Sequence, residues 1–129
     1  MVSLGEIKEA VGCPGELNIS DVAVPLTMTV VISKLRRLLP LSYRLTLHQT
    51  PPGGTETLIG QAQGRVGGAI GLFGKDAAET TITLVGNFMP TPAGTHKIKL
   101  VLWGSILGLF NVKEDEAECT ITVPGGVSV

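Results

Sequence analysis

Leu26-Thr27-Met28-Thr29-Val30-Val31-Ile32-Ser33 sets apolar side chains at 26, 28, 30 and 32 against polar ones at 27, 29 and 33. A period of two is the pleat of an extended strand, because successive side chains leave opposite faces. One apolar and one polar face mark an antiparallel sheet packed on one side only. Outward along the chain the same alternation recurs: Ile98, Leu100 and Leu102 against Lys97 and Lys99, and Ile82 and Leu84 against Thr81 and Thr83. Bounded by Gly and Pro, seven strands are predicted: Glu16 to Val24, Leu26 to Ser33, Ser42 to Gln49, Thr55 to Val66, Glu79 to Phe88, Thr95 to Trp103 and Glu118 to Val123. Seven short strands separated by turn signals predict an all-β sandwich rather than a parallel α/β sheet. Helix has one foothold, Ser3 to Val11, where Ser3 and Glu6 fit a capping box and Leu4, Ile7 and Val11 share a face before Gly12. An extended arm fits those residues too. The expected organisation is an arm or short helix over residues 1–14, followed by one sandwich domain over residues 15–129.

A chain of 129 residues suits one domain with a real core. Charged residues make up 16% against 43% hydrophobic, so disorder is excluded and the surface is unusually apolar. Ten basic and eleven acidic residues leave a net charge of −1, and the longest basic run is Arg36-Arg37. Neutralising phosphates needs a basic face, so no nucleic-acid partner is expected. No apolar window approaches the ~18–20 residues of a spanning helix. The start, Met1-Val2-Ser3-Leu4-Gly5-Glu6, lacks the basic and apolar regions of a secretion signal, so the expectation is cytoplasmic synthesis.

The run Pro92-Ala93-Gly94-Thr95-His96-Lys97-Ile98-Lys99-Leu100, leading into the sixth predicted strand, resembles the immunoglobulin-like superfamily, nearest to fibronectin-type-III and adhesion-module sandwiches. The resemblance covers Gly15 to Val123 through strand spacing. It implies an immunoglobulin-like antiparallel β-sandwich of about seven strands. The Cys…Trp…Cys pattern of true immunoglobulin domains is absent, since Cys13 and Cys119 flank the domain and Trp103 ends the sixth strand. Such a fold hosts unrelated functions and supplies none by itself.

Successive antiparallel strands place alternate connections at opposite ends. The first, third and fifth connections, Val24-Pro25, residues 50–54 and residues 89–94, consist of turn formers. The second, fourth and sixth, residues 34–41, 67–74 and 104–111, carry eleven Leu, Ile and Phe residues: Leu35, Leu38, Leu39, Leu41, Ile70, Leu72, Phe73, Ile106, Leu107, Leu109 and Phe110. Surface loops are normally polar, so an apolar cluster at one end reads as a contact surface. Fully burying one such side chain stabilises by ~1.5–3 kcal/mol, so burying half of them gives on the order of 10 kcal/mol gross. Association costs ~4–15 kcal/mol, so docking requires many of them to bury together.

Three readings share these loops. They fold back as a lid, or form extra strands with Leu38 and Ile70 in the core. They dock on copies of this chain or on a larger protein shell, as a capsid or tail accessory or decoration protein of a virion does. Or they dip into a bilayer, with Arg36 and Arg37 at anionic headgroups. Glu114, Asp115, Glu116 and Glu118 would repel that bilayer, which favours protein contact: a homo-oligomer or a larger assembly. A carbohydrate module is disfavoured by the single Trp and single Tyr.

No set of residues amounts to a catalytic site, and no cofactor is expected. Cys13 and Cys119 are expected at the apolar end, where a bridge between them fits the geometry; cytoplasmic synthesis points instead to buried free thiols. His48 is expected on an outward face and His96 at a surface or edge position, neither with metal-ligand spacing. Residues 114–118 read as a solvated acidic run rather than a calcium loop. The glycines at 64, 67, 68, 71 and 74 lack the Lys-Ser/Thr of a phosphate loop, and Asn18-Ile19-Ser20 falls inside a predicted strand.

Overall fold

The computed structural model describes residues 5–35, 41–66, 78–106 and 112–125. Its strands are β1 (Glu6–Val11), β2 (Val24–Leu35), β3 (Leu41–Thr50), β4 (Thr57–Val66), β5 (Ala78–Phe88), β6 (Gly94–Ile106) and β7 (Val112–Val123). They form two antiparallel sheets packed face to face, one in the order β1-β2-β5 and the other β4-β3-β6-β7. Across the sandwich β1 lies over β7 and β4 over β5.

The alternating positions carry the core as their period demands. Leu26, Met28, Val30 and Ile32 of β2 bury against Leu45 and Leu47 of β3 and against Ile98, Leu100 and Leu102 of β6, with Leu84, Phe88, Ile121 and Val123 completing the layer. Thr27, Thr29 and Lys97 of the same strands face out. Near the end where β3 begins, the inward Tyr43 pairs with Gly64 on one side and Gly104 on the other. A Cβ on Gly64 would lie 2.3 Å from Tyr43 Cζ, so the aromatic ring fills the space a side chain on β4 would need.

Three expectations need correction. Of the two readings of Ser3 to Val11, short helix or extended arm, the helix is overturned: Glu6–Val11 is extended as the edge strand β1, paired with β2 through Ile7↔Ile32 and Ala10↔Val30. Residues 16–23, expected as most of the first strand, run along the end of the sandwich. Glu16 makes one parallel bridge to Thr122, and Val22 is 65% exposed. The last strand is longer than expected: β7 begins at Val112, so the acidic run is part of an edge strand, where charge blocks pairing with other chains.

Cys13 and Cys119 are joined by a disulfide (S–S 2.09 Å). Cys119 pairs with Ile98, which pairs with Gln49, so the bridge lies nearer the turn-rich end than the apolar end where it was expected. It ties the segment after β1 to β7, that is, one sheet to the other.

Candidate functional site

The ladder registers bring the strand ends that flank the apolar connections to one end of the molecule. Leu35 closes β2 opposite Ala78, the first residue of β5. Leu41 opens β3 opposite both Val66, which ends β4, and Ile106, which ends β6. Val112 opens β7 opposite Gly104. Residues 36–40, 67–77 and 107–111 therefore all leave from that end, as the alternation of connections predicts. Of the eleven apolar candidates, Leu35, Leu41 and Ile106 are strand-terminal rather than in loops. Leu38, Leu39, Ile70, Leu72, Phe73, Leu107, Leu109 and Phe110 lie outside the described residues.

The opposite end holds a buried polar pair, Gln49 and His96, the second of which was expected at a surface or edge position. His96 is 0% exposed and Gln49 3%. Gln49 Oε1 accepts from Met89 N–H (3.1 Å) while its Nε2 donates to Met89 O (2.8 Å) and to His96 Nδ1 (2.9 Å). His96 Nε2–H donates to Pro92 O (2.7 Å), and its ring meets Phe88 edge-on at 5.3 Å. Every polar atom of the two side chains has a partner, so the group holds the 89–93 turn, with its cis Thr91-Pro92 bond, onto the end of β3. A histidine at an inward position of an alternating strand, His96 before Ile98 and Leu100, was the signal for burial.

The outer face of the four-stranded sheet carries a second polar chain. Trp103 Nε1–H donates to Thr46 Oγ1 (2.9 Å), and the Thr46 hydroxyl donates to His48 Nε2 (2.8 Å). His48 Nδ1 then faces Glu56 at 3.8 Å, and Glu56 accepts from Lys99 Nζ at 2.7 Å. Burial holds the His48 pKa below its usual value, opposed by Glu56 and helped by Lys99. The hydrogen bond from Lys99 lowers the Glu56 carboxyl, and the same bond raises Lys99. His48 thus faces outward as expected but is half-buried by its neighbours. Among the described residues no three His, Cys, Asp or Glu side chains come together as a metal site.

A cleft of about 210 Å³ opens where β1 lies over β7, with Cys13 and Cys119 in its wall. Asp115, from the acidic run, reaches across this side of the sandwich: its Oδ2 accepts from the Ile7 backbone N–H (2.8 Å) and its Oδ1 from Glu116 N–H (2.8 Å).

No family model matches the chain, and no curated protein matches it. Its fold is similar to the crystal structure of Spo0M, a sporulation control protein from Bacillus subtilis, with a TM-score of 0.52 at 11% identity. The match covers 96% of this chain and 51% of that one, so the chain spans about half the length of that structure. At this identity the likeness concerns the fold alone.

Proposed function

We propose that this chain is a non-enzymatic assembly module that docks on protein, a second copy or a larger assembly, through the end from which residues 36–40, 67–77 and 107–111 emerge. The observation that carries the reading is the convergence of six strand ends around three connections rich in Leu, Ile and Phe. Burying many of these side chains together would offset the cost of association. The relation to immunoglobulin-like domains is part of this reading, supported by seven strands in sheets of three and four. A capsid or tail accessory role is its most concrete version; no comparison adds to the sequence argument for it.

The lipid-contacting alternative has the same loops but a hostile flank. Glu116 and Glu118 project from the middle of β7 into solvent, each paired with a lysine (Lys113 and Lys97), so these residues offer anionic headgroups no net positive charge.

Light scattering over a dilution series tests the proposal. A defined oligomer, or a complex with a captured partner, that Phe73→Ser with Phe110→Ser dissolves into a folded monomer is the expected result. A wild-type monomer whose double variant unfolds would show that the loops cap their own core. A monomer that co-sediments with vesicles would transfer the loops to lipid.

A further inference from the structure

The two sheets meet differently along their two sides. Where β4 lies over β5 the backbones close on each other: a Cβ on Gly60 would lie 2.7 Å from Val85 O and 2.8 Å from Gly86 Cα. Glycine at 60 leaves no gap there. Where β1 lies over β7 the sandwich stays open as the 210 Å³ cleft, floored by the core side chains of Met28, Ile98 and Leu100. Its middle is lined by Ala10 on β1 and Ala117 on β7, two small residues where larger ones would fill the space. Both ends are tied. The Cys13–Cys119 bridge and the Gly15–Leu17 hydrogen bonds to Thr122 fasten one, and the Asp115 carboxylate on Ile7 N–H fastens the other.

We propose that this slot is a binding site for a neutral alkyl chain, the hydrocarbon end of a small amphiphile. Apolar cavities of ~150 Å³ take up benzene, and this one is larger. Its lining runs along β1 from Ile7 to Ala10, about 10 Å at ~3.3 Å per residue, a length that suits a chain better than a ring. The charges at the mouth disfavour an anionic ligand. Lys8 Nζ is held by Glu79 at 3.1 Å and the Glu118 carboxylate by Lys97 at 3.8 Å, which leaves the carboxylate of Glu9 as the charge at the rim among the described residues. Among the described residues no strand pairs with the outer edges of β1 and β7 between the two ties, so their backbone groups can hydrogen-bond a hydroxyl at the chain's head. The site is separate from the apolar end and does not rest on the docking proposal.

The test is a titration of the full chain with 1-octanol, followed by amide NMR shifts and thermal melting, in wild type and in Ala117→Leu. Shifts concentrated at residues 7–10 and 117–119, with a raised melting temperature, are expected. Ala117→Leu fills the slot, so the free variant should melt at or above wild type and bind octanol at least tenfold more weakly. If that variant does not fold, Ala10→Leu fills the slot from the other wall. Octanoate should bind several-fold more weakly than octanol because of Glu9 and because its carboxylate would lose water at an apolar slot. The proposal falls if octanol up to its solubility limit shifts none of these amides, or if the folded, filled variant binds it as well as wild type does. It falls equally if the only shifts flank the apolar end and vanish in the Phe73→Ser, Phe110→Ser protein.

Discussion

At Gln49 a single side chain does what a neighbouring strand would do, offering an acceptor and a donor to one residue's backbone, and its second N–H fixes the ring of His96. Removing it leaves Met89 N–H and the buried His96 Nδ1 without their partner. Gln49→Ala should therefore lower stability by at least ~2 kcal/mol, read as a lower urea midpoint at unchanged slope. An unchanged midpoint would show that the turn holds without the amide. His48 makes the other residue-scale prediction. Its folded pKa lies below the unfolded one, so between them the unfolded chain binds more protons, and the contribution is complete above ~6.5 and lost as pH falls. Urea melts of wild type should show a drop between about pH 7 and pH 5.5 that His48→Gln reduces; equal drops in both proteins would refute this. Glu56, also lowered, adds a loss of the same sign only at the lower pH where carboxylates titrate. Of these two histidines, the outward placing of His48 was legible in the sequence. The burial of His96 was missed because its polarity outweighed its position in the alternation.

Among the elements, β1 shows why a correct reading of residue types can yield the wrong structure. Its pairing shifts between Ile7 and Glu9, so Lys8 is an extra residue, and Ile7 and Ala10 point inward three positions apart. The helix reading rested on Leu4, Ile7 and Val11 sharing a face, but in β1 Ile7 points inward opposite Ile32 while Val11 points outward and is 48% exposed. β7 hid for a related reason: the register slips between Leu102 and Trp103, and acidic residues on an edge strand carry no outward sign of pairing. By contrast β2, β3 and β6 were legible within a few residues because both neighbours and one buried face enforce the period of two, and β5, an edge strand, was legible from the alternation of its buried face. The disulfide is the element-scale lever, since β1 pairs only with β2 along its length. Closing a separation of 106 residues, it should stabilise by ~3–5 kcal/mol. Cys13→Ser with Cys119→Ser, melted in urea beside the reduced wild type, should show that loss in both. A double variant as stable as the oxidised protein would mean the bridge constrains nothing.

For the whole molecule, the apolar end could be located because connection parity is a topological property, insensitive to errors of a few residues in strand limits. The cleft could not, because it depends on how two edge strands from different sheets face each other, and no one-dimensional period encodes that. The bridge has one more consequence, mechanical rather than thermodynamic. When the chain is pulled from beyond Cys13 and beyond Cys119, tension runs through the sulfur atoms and bypasses the 105 residues between them. The loop between the sulfur atoms cannot pay out, whereas in the reduced chain it could lengthen to roughly 370 Å at ~3.5 Å per residue. An oxidised copy held in an assembly by its two ends is thus an almost inextensible link, and reduction would turn it into a spring.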